Sequence, residues 1–111
     1  MQGYDPAGAA GYILAHIDPK PLRSLRGRLK GIIADFIAYD LHFMRLTGVL
    51  DENGLRGEGD YDDDEAFEYI YDAWLSDHPD EPDEDMAVAA ALNGYMEWQE
   101  KYLLSQGLAE L

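Results

Sequence analysis

The sequence predicts an all-α fold, a small four-helix bundle with a long central second helix, in a single helical domain over residues 1–111. Apolar residues recur every three or four positions, prolines and glycines separate these segments, and 47% of the residues are apolar. That content is sufficient for one modest core. The predicted helices span residues 5–17, 22–47, 62–76 and 82–106.

The first helix is predicted from its ends. Asp5-Pro6 is typical of an N-cap followed by proline in the first turn. The segment Asp18-Pro19-Lys20-Pro21 ends the helix, because a residue that precedes proline is disfavoured in helical geometry.

The second helix is predicted from periodicity. From Leu22 to Leu50 the apolar positions alternate in steps of three and four, a spacing that only a helix satisfies, and Gly48 is placed to end it. Small residues form a stripe along this helix, which suggests close approach by a neighbouring helix or by the same helix of a second subunit. The stripe comprises Gly27, Gly31, Ala34 and Ala38.

The last two helices begin with acidic residues. Asp62 is the predicted N-cap of the third helix, which His78-Pro79 ends. The fourth helix begins near Pro82 and ends at Gly107. The polar segment 51–60 is glycine-rich and is predicted to be a loop.

Charge is divided unequally along the chain. After Arg56 the sequence has 17 Asp and Glu against one Lys, whereas residues 1–56 have six acids and seven Lys and Arg. The formal net charge of −15 repels phosphate backbones and anionic lipids. We therefore expect a protein partner with a basic surface, with no direct nucleic-acid or membrane binding.

The composition also favours a cytoplasmic location. The chain has no cysteine, which suits a reducing compartment and excludes disulfides and thiolate metal sites. It shows neither an apolar stretch long enough to span a bilayer nor a secretory signal pattern at its start.

Candidate catalytic and metal-binding groups do not form recognisable patterns. The acid-rich stretch 60–65 fails the EF-hand spacing, and the three histidines (His16, His42 and His78) lie in separate segments. No nucleophile motif or phosphate-binding loop is present. We expect no enzymatic activity, no cofactor and no metal.

A basic cluster surrounds the predicted start of the second helix, where the helix dipole favours acids instead. It comprises Lys20, Arg23, Arg26 and Lys30 as candidate anion-binding residues, together with Arg28. These cations either bind a phosphate or carboxylate ligand, or neutralise the acid-rich connection 77–85 within the bundle.

Acidic and aromatic residues of the third and fourth helices are the candidate partner-binding residues. They are Asp62, Asp63, Asp64, Glu65, Glu68, Tyr69, Asp72, Asp83 and Glu84. Tyr69 is expected to point away from the buried face of its helix, where an aromatic ring with a polar tip suits a binding interface.

The leading hypothesis is a non-enzymatic acidic protein-interaction module. Inhibitors that imitate nucleic acid, antitoxins, immunity proteins and phage counter-defence proteins fit this description. One alternative is a helical sensor that binds an anionic small molecule or nucleotide at the basic start of helix 2. The other is a structural homo-oligomer that associates through helix 2.

Overall fold

The computed structural model describes residues 4–18, 20, 22, 27–59, 61–78 and 85–108, and in this part of the chain four helices pack against one another. The predicted all-α class is therefore confirmed. No helix within these ranges is long and apolar enough to cross a membrane. The helices are α1 (Pro6–His16), α2 (Leu29–Thr47), α3 (Asp63–Asp77) and α4 (Asp85–Ser105).

Ring contacts between helices define the direction of α1 and α4. His16 stacks on Trp98 with ring centroids 4.7 Å apart, and the rings of Tyr12 and Tyr102 are 5.6 Å apart. Because the later residue of α1 meets the earlier residue of α4, these two helices are antiparallel.

Contacts of α2 complete the topology. Phe43 lies 5.3 Å from Tyr69 between ring centroids, and the Tyr39 hydroxyl donates to Asp77 Oδ2 at 2.5 Å, so α2 and α3 are antiparallel. Phe36 packs on Tyr95 with ring centroids 5.6 Å apart, and Asp40 bonds to Gln99 four residues further along both helices, so α2 and α4 are parallel. The chain therefore runs up, down, up and down, with α2 and α4 on one diagonal. Each of these two helices packs against all three others, so α4, with 21 residues against 19 in α2, shares the predicted central position.

The core lies between the inward faces of all four helices. Large apolar side chains with almost no exposed surface fill it, as a close-packed interior requires. They include Ile13, Phe36, Ile70, Trp74, Leu92 and Leu103.

The ends of the helices mostly follow the predicted signals. Asp62 caps α3, since its Oδ1 accepts from the backbone N–H groups of Asp64 (3.0 Å) and Glu65 (3.2 Å). Gly48 follows α2 with φ 80° and Gly107 follows α4 with φ 69°, the left-handed geometry that glycine adopts most readily.

The predicted start of the second helix is wrong, because α2 begins at Leu29 and not at residue 22. Gly27 and Arg28 form a turn immediately before the helix. Glycine favours such turns, and cations oppose the helix dipole at an N-terminus. Leu22 is nonetheless buried. Residues 23–26 lie outside the described ranges.

The small-residue stripe does not contact another helix in the part of the chain that the structure describes. Gly31, Ala34 and Ala38 are exposed, and a Cβ added at Gly31 would meet no atom within 4 Å. The predicted approach by a neighbouring helix is wrong, because the buried face of α2 is the opposite one, around Phe36 and Phe43. Self-association through the stripe stays a prediction.

The loop between α2 and α3 is closed by backbone contacts. The Gly57 N–H donates to Val49 O at 2.8 Å, and the Tyr4 N–H donates to Gly54 O at 2.7 Å. A Cβ added at Gly57 would lie 2.1 Å from Gly48 O. This close approach requires glycine at position 57, and the Tyr4–Gly54 hydrogen bond holds the loop against the N-terminal segment.

We expect Gly57→Ala to lower the free energy of unfolding by about 3 kcal/mol, the upper range for overpacking, because a backbone oxygen occupies the space of the new methyl group. Gly31→Ala is the matched control. Its site is open and helical, so this change should raise stability by about 1 kcal/mol. Urea unfolding measures both, and equal stability of the two variants would contradict the described loop.

Candidate functional site

Asp40 lies on the buried face of α2 and has no exposed surface. Core residues flank it one helical turn away on each side, Phe36 before it and Met44 after it. Aspartate is almost never fully buried unless a partner compensates its lost hydration. Asp40 therefore requires hydrogen-bond donors from inside the fold.

Three donors converge on one oxygen of Asp40. The hydroxyls of Tyr95 and Tyr61 donate to Oδ2 at 2.6 and 2.7 Å, and Gln99 Nε2 donates to the same oxygen at 3.2 Å. Tyr95 and Gln99 belong to α4, whereas Tyr61 precedes the N-cap of α3. One carboxylate thus connects α2, α4 and the start of α3.

Gln99 extends this connection to the N-terminal segment. Its Nε2 also donates to the Tyr4 hydroxyl at 2.8 Å, and Gln99 has no exposed surface. We call the five residues Asp40, Tyr61, Tyr95, Gln99 and Tyr4 the Asp40 network. Two buried oxygens of this network, Asp40 Oδ1 and Gln99 Oε1, lack a hydrogen-bond partner among the described residues.

Burial raises the pKa of the Asp40 carboxyl to about 6. The hydrogen bonds from Tyr95, Tyr61 and Gln99 lower this pKa, and the charge of Asp63 adds a smaller rise. Burial together with the Asp40 charge raises the pKa of the Tyr61 and Tyr95 hydroxyls well above their usual range, so they remain protonated donors.

The Asp40 network can therefore store and release a proton inside the fold. Its carboxyl changes charge near pH 6, close to physiological pH. Because Asp40 has no exposed surface, this conformation gives it no contact with an outside molecule. Gain or loss of the Asp40 proton therefore changes the charge and packing of the protein's own core.

A separate feature lies on the outer side of α3. Asp64, Glu65, Glu68 and Asp72 are all exposed, and their side chains form no ion pair or hydrogen bond within the described part of the chain. At about 100° per residue they occupy one sector roughly 100° wide, opposite the buried side. We call these four carboxylates the acidic face.

A groove of about 560 Å³ runs beside the acidic face, between α3 and α4. Phe67 and Met96 supply apolar surface, and carboxylates border it. The groove thus combines hydrophobic contact area with negative charge. Its lining residues are Asp63, Asp64, Phe67, Glu68, Asn93 and Met96.

The predicted partner-binding residues separate into three groups. The six acids from Asp62 to Asp72 are all exposed; four of them form the acidic face, whereas Asp63 lies about 100° from Asp64, on the side of α3 that borders α4. The prediction that Tyr69 points away from the core is wrong, because this residue is adjacent to the buried strip of α3 and packs on Phe43 of α2. Asp83 and Glu84 lie outside the described residues.

Half of the candidate anion-binding set is described. Lys20 and Lys30 are both exposed, and the Lys20 backbone N–H donates to Asp18 Oδ1 at 3.0 Å. Arg23 and Arg26 lie outside the described residues, as does most of the acid-rich connection predicted to face them. Both interpretations of the basic cluster stay predictions.

The three histidines lie apart from one another. His16 Nδ1 bonds to the Tyr12 carbonyl at 2.7 Å, His78 Nδ1 bonds to the Trp74 carbonyl at 2.9 Å, and each imidazole packs on the ring of that partner. These two histidines thereby satisfy carbonyls at the ends of α1 and α3. Within the described ranges, no group of three or more acidic or histidine residues is arranged to hold a metal ion.

Comparison with known proteins adds no family to this description. No protein family, no curated protein and no solved structure matches the chain.

We expect the free energy of unfolding to fall as the pH rises from about 4 through about 6. The pKa of Asp40 in the folded protein lies above the unfolded value of 3.8. The stabilisation that protonated Asp40 contributes is therefore complete below pH 3.8, and it is lost as the pH rises through about 6. A shift of about two units corresponds to about 3 kcal/mol. Asp40→Asn should remove this part of the pH dependence, as measured by urea unfolding across the range.

Asp72→Asn is the control for Asp40→Asn, because it removes one carboxylate from an exposed position. It should keep the pH dependence of the original protein. The same slope in all three proteins would show that Asp40 titrates as an ordinary surface acid.

We expect Tyr95→Phe to cost more stability at pH 7.5 than at pH 4.5. Its hydroxyl donates to a charged carboxylate at the higher pH, a bond that contributes about 1.5–3 kcal/mol, against about 1 kcal/mol for a neutral acceptor. Tyr102→Phe alters a buried tyrosine outside the network and should show no such pH dependence. Equal losses for Tyr95→Phe at both pH values would argue against a charged acceptor.

Proposed function

We propose that the protein is a non-enzymatic interaction module that binds a basic surface of another protein through the acidic face and the adjoining groove. The observation that carries this proposal is the arrangement, in one outward sector of α3, of four exposed carboxylates that have no ion-pair partner among the described residues. A face of this kind attracts cationic partners, raises their association rate and disfavours anionic ones.

The groove supports an Arg or Lys side chain as the group that the module recognises. Phe67 and Met96 offer apolar surface to the aliphatic stem of such a side chain. Asp64 and Glu68, four residues apart on the groove edge, offer carboxylates to its charged end. Hydrophobic contact and charge pairing therefore favour the same class of ligand.

The density of carboxylates favours a partner whose basic surface also suits nucleic acid. The acidic face places four carboxylates over eight residue steps of α3, about 12 Å of helix axis. That is about one charge per 3 Å, near the roughly 3.4 Å per phosphate along one DNA strand. This similarity supports an inhibitor that occupies a nucleic-acid-binding surface.

We expect the double variant Asp64→Asn/Glu68→Gln to bind fluorescent octa-arginine about fivefold more weakly than the original protein at low salt, since each lost exposed ion pair contributes up to about 1 kcal/mol. Binding should also weaken between about 50 and 300 mM salt. Fluorescence anisotropy measures the dissociation constants, and circular dichroism checks that the helices persist.

Glu52→Gln/Glu58→Gln is the matched control, because it makes the same change in net charge at two exposed acids of the α2–α3 loop. It should alter octa-arginine affinity less than twofold. Equal weakening by the two double variants would mean that total charge alone attracts the peptide, which contradicts a binding face on α3.

A further inference from the structure

The Asp40 network reaches the protein surface at the start of α3. Tyr61 donates to Asp40 Oδ2, and the next two residues along the chain are Asp62, the N-cap, and Asp63, which borders the groove. The buried carboxylate of Asp40 and the groove are thus separated by the side chain of Tyr61 and by the two residue steps from Tyr61 to Asp63.

Met96 forms a second connection between the network and the groove. It lines the groove, and its Sδ lies 3.9 Å from the Tyr61 hydroxyl. Tyr61 and Met96 together separate Asp40 from the space that a bound side chain would occupy. A change of charge in the groove therefore acts on Asp40 across these two side chains, where screening is weaker than in bulk water.

The groups that face Asp40 come from every neighbouring element. Tyr61 and Asp63 face it from the α3 side, Tyr95 and Gln99 from α4, and Tyr4 from the N-terminal segment. Tyr61, Tyr95 and Tyr4 keep their hydroxyl protons, because burial raises the pKa of each. Asp63 is therefore the charged group through which the surface acts on Asp40.

Glu100 of α4 interacts with the same surface acid, Asp63. Burial raises its pKa, and its hydrogen bond and charge interaction with Asp63 raise it further. Asp40 and Glu100 thus both respond to Asp63, one from inside the bundle and one from its edge. Any test of Asp40 requires a variant that removes the response of Glu100.

We propose that a basic partner in the groove causes Asp40 to release its proton, so that partner binding and the charge of the core are coupled. This inference rests on the proposed binding of a basic surface. A positive charge beside Asp63 cancels the repulsion between Asp63 and ionised Asp40. Linkage then requires the converse, that ionised Asp40 strengthens binding of the cationic partner. The carboxyl proton passes to solvent, and no covalent bond other than O–H changes.

Calorimetric titration with octa-arginine tests the coupling directly. Runs in two buffers with different ionisation enthalpies give the number of protons released on binding. The original protein should release protons near pH 6, where Asp40 is about half protonated, and fewer near pH 8, where it is already ionised. Asp40→Asn should release fewer protons near pH 6, whereas Glu52→Gln, which alters an exposed acid outside the acidic face, and Glu100→Gln should retain the Asp40 contribution.

A second measurement does not depend on any partner. Carboxyl ¹³C chemical shifts followed by pH titration give the midpoint of Asp40 directly. Asp63→Asn should lower this midpoint and Asp72→Asn should leave it unchanged, while Asp63→Asn in the Glu100→Gln background should still lower it. An unchanged midpoint in Asp63→Asn would overturn the inference, even if Asp40→Asn fails to fold.

The outcomes separate the two proposals. If octa-arginine binds the acidic face but the original protein and Asp40→Asn release equal numbers of protons, the coupling is wrong and the proposed function stands. If octa-arginine shows no preference for the acidic face while Asp63→Asn lowers the Asp40 midpoint, the proposed function is wrong and the electrostatic connection stands.

Discussion

The three hydrogen bonds to Asp40 Oδ2 are the interaction on which the arrangement of the helices depends. An unpaired carboxylate in a core would cost far more than the few kcal/mol by which domains of this size are stable. Loss of the bond from Tyr61, Tyr95 or Gln99 to this oxygen therefore destabilises the bundle. Apolar packing alone tolerates small shifts between helices, whereas this convergence of directional bonds does not.

The same convergence specifies how α2 and α4 are aligned. Both helices present apolar faces, and a displacement of α4 by one turn would still bury apolar surface. Such a displacement would put Leu103 where Gln99 lies, or Ala91 where Tyr95 lies, and would leave the carboxylate without one of its three donors. The network thus selects one alignment of α2 and α4. It does so at a cost in the free energy of unfolding near neutral pH, because burial disfavours the ionised carboxylate. Polar residues in other helical cores have the same effect.

Periodicity and end signals predicted the helical class and most helix ends, because Asp62, Gly48 and Gly107 act through their immediate neighbours. The start of α2 was missed because the apolar spacing continues through a turn that Gly27 and Arg28 form. The exposure of the acids of α3 could be predicted, because they fall on the side of the helix opposite its apolar residues. Asp40 and Gln99 went unrecognised, although each is a polar residue at a core position of its helix, since their partners are remote in sequence.

Contacts of Tyr4 bear on when the chain can complete its folding during synthesis. Its N–H bonds to Gly54 and its hydroxyl accepts from Gln99, so the first described residue is fixed by segments made about 50 and 95 residues later. While the C-terminal helix is still inside the ribosome, Asp40 lacks two of its three donors, and the nascent helices have no stable common core. Folding of this bundle is therefore expected to finish only once α4 has left the ribosome, and until then the first three helices stay incompletely packed.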